Sequence, residues 1–226
     1  MDTTMLMDKN RASEICTKAL SYVTGGQGEV TLYQSAGPLT RIANNAIHQN
    51  VETMDLNVSL RVDAGGRSGR ATTNQTDDAS LRALAQQAAA AAAAITGDQE
   101  LPPLMGPQAY REIPAYDEGS ARLEPEQRAR MVRQAVDLAL RDKVELAGLV
   151  SNGFHVRAMA NSSGLFAYHR TSSLTMEITA RSGLAAGRCA KTVRRPAELD
   201  PAQVAATAIR KCLGSRDARA LEPGEY

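Results

Sequence analysis

From Met54 to Asp63 the chain alternates strictly. Met54, Leu56, Val58, Leu60 and Val62 are apolar, while Asp55, Asn57, Ser59, Arg61 and Asp63 take the other parity. Successive side chains of a strand point to opposite faces, so this pattern predicts a strand with one buried and one wet face. Ala64-Gly65-Gly66 reads as a turn, because glycine takes positive φ without a Cβ clash, and Arg67 to Thr73 returns as a short strand. Upstream, Met7 to Val23 places Ile15, Ala19, Leu20 and Val23 on one side and Lys9, Arg11, Glu14 and Lys18 on the other. That is an amphipathic helix, and Gly25-Gly26 ends it. Glu29 to Ser35 and Leu39 to Ala43 read as strands parted by Gly37-Pro38, and Asn44-Asn45 forms a turn within Arg41 to Asn50.

Asp77-Asp78 suits a helix N-terminus, where carboxylates accept from free backbone amides, and this explains the pair better than a cation site does. Leu81 to Ile95 is helical on propensity, ending in a run that is nearly all alanine. Small side chains permit close packing on a sheet, the reading preferred here over a helix-dimer face. Residues 96–123 change character: Pro102-Pro103, Gly106-Pro107, Pro114 and Gly119 predict an extended linker. Glu124 to Arg141 is the next helix, with Pro125 in its first turn.

A shift of 116 positions puts Ser35 on Ser151, Gly37 on Gly153, Arg41 on Arg157, Asn45 on Asn161 and Ala64 on Ala180. Both parts read as helix, turn-linked strands, an Asn-containing turn (Asn44-Asn45; Asn161 to Gly164), a long alternating strand, a short Gly-Arg strand and a helix. The last helix runs from about Asp200-Pro201 to Leu213, with Gly214 to end it. The expected fold is therefore α+β: two similar helix–antiparallel sheet–helix halves, about 7–95 and 124–213, sharing a mixed or antiparallel sheet. Leu221 to Tyr226 reads as a turn entering a further strand, which predicts a longer protein.

Composition narrows the functions. Of 226 residues, 43% are hydrophobic and 23% charged, enough to bury a core. Twenty-six basic against 25 acidic residues leave a net charge of +1, so no global field draws nucleic acid or an anionic membrane. Aromatics are only 4% with no tryptophan, which argues against base-stacking platforms. Cys16, Cys189 and Cys212 are odd in number and far apart, so they read as reduced core residues rather than disulfides, zinc ligands or nucleophiles. Met1 to Arg11 lacks the basic flank and apolar run of a signal peptide, and no stretch has the roughly 18 apolar residues of a membrane helix. A cytoplasmic protein with no membrane partner is expected.

No GxSxG elbow or GxxxxGK[ST] loop is present, and Gly65-Gly-Arg-Ser-Gly-Arg70 lacks the lysine and helix context of a phosphate loop, so a β turn is preferred there. Neither HExxH nor HExxxH occurs, and no histidine has a second one a helical turn away, so no catalytic residue and no metal ligand is assigned. His48 and His169 each follow an Asn turn. Both read first as surface histidines at strand starts; as substrate-binding candidates they would face a cavity with Asn44, Asn45, Arg70 and Asn161 as polar neighbours that hold a peptide backbone.

Thr40-Arg-Ile-Ala-Asn-Asn-Ala-Ile-His-Gln49, Leu60-Arg-Val62, Gly66-Arg-Ser-Gly-Arg-Ala-Thr-Thr-Asn74 and Asn161-Ser-Ser-Gly-Leu-Phe-Ala-Tyr-His-Arg170 together resemble the N-terminal half of the TldD/PmbA family. The run from Gly66 to Asn74, followed by Asp78 and Ser80-Leu81, is closer to the PmbA-type members. That family was named for modulation of DNA gyrase and includes cytoplasmic metalloproteases. The resemblance implies an N-terminal domain over 1–226, with the zinc site (HExxxH plus a later cysteine) on a C-terminal domain of a TldD-type partner. It implies a non-catalytic half-subunit, inactive alone, in a homo- or heterodimer whose cavity admits short or unfolded peptides, with no cofactor on this chain. The alternative is a free-standing binding or adaptor module, such as a modulator of DNA gyrase.

Overall fold

The computed structural model describes residues 6–96, 100–216, 222, 224 and 225. The alternating stretch forms β4 (Met54–Ala64), which pairs antiparallel with β1 (Gln27–Ala36) on one side and β5 (Arg67–Thr73) on the other. Val30 lies opposite Leu60 and Leu32 opposite Val58, so one parity of both strands makes a continuous apolar face. α1 (Lys9–Ser21) and α2 (Asp78–Ala94) cover that face with Ile15, Cys16, Leu81, Leu84, Ala85 and Ala88, all buried. The alanines are small for a reason: a Cβ on Gly69 of β5 would lie 2.1 Å from the Ala92 nitrogen, so α2 rests on bare backbone. Asp77 caps α2 by accepting from the Ser80 amide at 2.9 Å. Asp78, next to it, takes Lys18 and the Tyr22 hydroxyl at 2.5 Å each, which hold its carboxyl down to about 2.

The chain divides into two compact units that do not follow the contiguous halves 7–95 and 124–213. One holds the described residues of Met1–Ala36, Met54–Ala115 and Phe154–Thr171; the other holds those of Gly37–Thr53, Tyr116–Gly153 and Ser172–Tyr226. Two 17-residue strands, β6 (Glu145–Asn161) and β7 (Phe166–Ser182), therefore contribute one portion to each unit. In the first unit the strand order is β7, β6, β1, β4, β5. In the second it is β3 (Ala46–Val51), β2 (Leu39–Ala43), β6, β7, β8 (Ala185–Val193). The pairings with a recorded register are antiparallel, so the expected α+β class holds with antiparallel rather than mixed sheets.

The second unit builds its core from Val132, Ala135 and Ala139 of α4 (Pro125–Asp142), Leu146 of β6, Leu174, Met176 and Ile178 of β7, and Val204, Ala208 and Ile209 of α5 (Pro201–Gly214). Here too a glycine admits the helix: a Cβ on Gly187 of β8 would meet the Ala208 oxygen and the Cys212 nitrogen at 2.3 Å. The sequence predicts turn-linked strands after Glu145, where the structure has the single strand β6. Gly37 is followed by Pro38, which has no N–H for a ladder, whereas Gly153 is followed by Phe154, which continues the strand. Residues 100–123 are extended apart from the short α3 (Glu118–Ala121), and Pro196–Glu198 makes one 3-10 turn before α5. In the stretch expected to open a further strand, 221, 223 and 226 lie outside the described residues. Among the described residues no helix is long and apolar enough to cross a membrane.

Candidate functional site

The six residues singled out from the sequence are divided between the two units. Asn44, Asn45 and His48 belong to the second unit; Arg70, Asn161 and His169 belong to the first. Asn44 and Asn45 take φ of 49° and 62°, the left-handed conformation a tight hairpin between β2 and β3 demands. The Asn45 amide is engaged as well, donating to the Val144 carbonyl at 2.9 Å and accepting from the Leu146 amide at 2.7 Å. His48 stands exposed on β3. Arg70 donates to Ser59 Oγ at 2.9 Å. Asn161 is 4% exposed, and its Oδ1 accepts from the Ser163 and Leu165 amides at 3.0 and 3.1 Å while its Nδ2 donates to the Met105 carbonyl at 2.8 Å. That last bond ties the extended segment 100–115 to the β6–β7 turn.

Of the six, His169 lines a cavity of 730 Å³ on the face of the first unit's sheet that carries the odd-numbered side chains of β1, β6 and β7. Tyr33, Arg157, Met159 and Ala167 form its floor, and Tyr110, Arg111 and Ile113 of the extended segment form a wall. A smaller recess of 340 Å³ shares Tyr33, Arg157 and His169 and adds His155 and Thr171. The polar groups are held in place by one another. Tyr33 Oη and His155 Nδ1 share a hydrogen bond of 2.7 Å, their rings stack at 5.9 Å, and the Arg157 guanidinium lies over the Tyr33 ring at 5.6 Å. Tyr168 donates to the Met7 carbonyl at 2.8 Å, and burial raises its phenol above the ordinary value. No aspartate or glutamate is among the lining residues.

Sequence reading passes over Tyr33, His155, Arg157 and Tyr110 as lining residues because they come from three separate stretches. The usable signal is parity: Tyr33, His155 and Arg157 sit at the positions of β1 and β6 opposite to buried Leu32, Phe154 and Val156. Tyr110 and Ile113 are 53% and 64% exposed in a proline-rich run, where large apolar side chains have no core to serve.

This chemistry suits binding. Among the described residues no three His, Cys, Asp or Glu side chains gather as a metal site requires. Burial pushes the Cys16 thiol up to about 12, and Cys212 is also buried, which keeps both from nucleophilic chemistry.

Residues 29–92 match the family model described as PmbA/TldA metallopeptidase domain 1. No curated protein matches the sequence. Among solved structures, a protein from Bacteroides thetaiotaomicron described as a candidate modulator of DNA gyrase shares 16% identity and a TM-score of 0.82, over 98% of this chain and 53% of that one. A protein of the same description from Thermotoga maritima shares 18% identity and a TM-score of 0.78, over 96% and 49%. TldE from Thermococcus kodakarensis shares 21% identity and a TM-score of 0.73, over 89% and 47%. The chain thus spans about half the length of the structures whose fold it shares. The domain match thus runs from β1 to α2, and beyond it the chain shares the fold of these solved structures.

Proposed function

We propose that this chain is the N-terminal, non-catalytic half of a TldD/PmbA-type cytoplasmic metalloprotease, and that it receives short or unfolded peptides for hydrolysis at zinc held elsewhere in the assembly. The observation that carries the reading is the 730 Å³ cavity on the first unit's sheet. Its walls are apolar and aromatic, its few polar groups converge, and its floor is an extended sheet face, which together suit an extended peptide. The matched domain's description as part of a metallopeptidase supports proteolysis as the context. The fold shared with TldE supports pairing with a TldD-type subunit, as a homo- or heterodimer.

The test is metal content and peptidase activity of the chain alone and after mixing with a zinc-bearing TldD-type subunit. The expected result is no stoichiometric zinc and no cleavage alone, with cleavage that rises above the partner's own level on mixing. Tight zinc binding or cleavage by the isolated chain would overturn it. An adaptor role is favoured by one observation, the description of two structural neighbours in terms of DNA gyrase. Co-sedimentation with gyrase in the absence of any TldD-type subunit would support that role instead.

A further inference from the structure

Resting on the peptide-binding reading, we infer that the cavity of the first unit recognises the free C-terminal carboxylate of a peptide with an apolar last residue. Charge is the first reason. The cavity and its adjoining recess present Arg111, Arg157, His155 and His169 and no acidic side chain, so an anion entering there meets cationic and hydrogen-bonding groups without a competing carboxylate. No ion pair to Arg157 is found among the described residues, and its recorded contact is with the face of Tyr33. A guanidinium stacked on a ring keeps its N–H edge available, and that edge matches a carboxylate in fork geometry.

Preorganisation is the second reason. Tyr33 is held by its hydrogen bond to His155, and the Arg157 platform is set on strands β1 and β6, which pair directly with Tyr33 opposite Arg157. The side chains that would otherwise lose rotamer freedom on binding are already placed. The third reason is the apolar body beside the charge. Met159 and Ala167 on the floor and Ile113 on the wall are suited to a leucine- or phenylalanine-sized side chain next to the carboxylate. An internal glutamate would instead carry peptide backbone on both sides into that apolar wall.

The experiment uses the full chain and fluorescein-labelled hexapeptides ending in leucine, as the free acid and as the C-terminal amide, followed by fluorescence anisotropy. Sodium phosphate and acetate serve as competitors. The free acid should bind at least about tenfold more tightly than the amide, the scale of one charge-assisted bidentate contact. Arg157→Gln should abolish the preference for the free acid over the amide, and Arg157→Lys should restore part of it. Arg157 is exposed, and circular dichroism verifies that both variants fold. Equal binding of acid and amide, an amidated peptide with an internal glutamate binding as well as the free acid, or displacement by phosphate at the peptide's own concentration would each overturn the carboxylate inference and leave peptide binding standing. Failure of every peptide to bind would overturn both.

Discussion

Arg128 is 2% exposed, and among the described residues it forms no ion pair, an uncommon place for a permanent charge. Its guanidinium is satisfied by neutral acceptors: Nε donates to Thr40 Oγ1 at 3.0 Å, Nη1 to the Leu123 carbonyl at 2.7 Å and Asn152 Oδ1 at 2.8 Å, and Nη2 to Asn50 Oδ1 at 3.1 Å. Burial lowers its pKa while Glu52, Glu124 and Glu126 oppose the shift. One side chain thereby ties α4 to β2, β3 and β6 within the second unit. Arg128→Met should lower stability by at least about 1–3 kcal/mol in urea unfolding, because it strands buried acceptors. Arg128→Lys should recover only part, since an ammonium cannot fork to four partners. A loss below about 0.5 kcal/mol, the range of ordinary surface changes, would mean that the acceptors find other donors. Nothing in the sequence marks Arg128. It lies in a helix rich in arginine, and only tertiary packing turns it inward.

At the scale of the element, the helices and strands were largely legible. β2 and β5 have the bounds expected from their sequence, and α2 and α4 differ from expectation only near their ends. Period-2 alternation and capping residues are local signals, and burial on one face reads them out directly. The glycines at helix–sheet contacts were legible as residues but not as contacts. Gly69→Ala and Gly187→Ala should each cost about 1–3 kcal/mol, because the added methyl meets helix backbone that must retreat. Gly106→Ala, with open space around its Cα, should be near neutral. Equal stability of all three variants in urea would show that the helices move aside without cost.

Across the whole molecule, β6 and β7 each run through both units, so the two cores share strands. Buried thiols report the cores separately: Cys16 in the first and Cys212 in the second. Pulsed alkylation with mass spectrometry should find both becoming reactive at the same urea concentration, as one cooperative transition requires. Exposure of the two at well-separated concentrations would show that the shared strands break between the units. By itself the sequence determined the α+β class, most strand and helix positions and the family likeness, because patterning, caps and turn residues act over a few positions. The tertiary structure alone decided that the hairpin 37–53 belongs with the second core and 154–171 with the first, and that Tyr33, His155, Arg157 and His169 meet at one cavity of the first unit while Asn44, Asn45 and His48 belong to the second. Those facts depend on strand pairing between residues more than a hundred positions apart, and no local pattern carries that register.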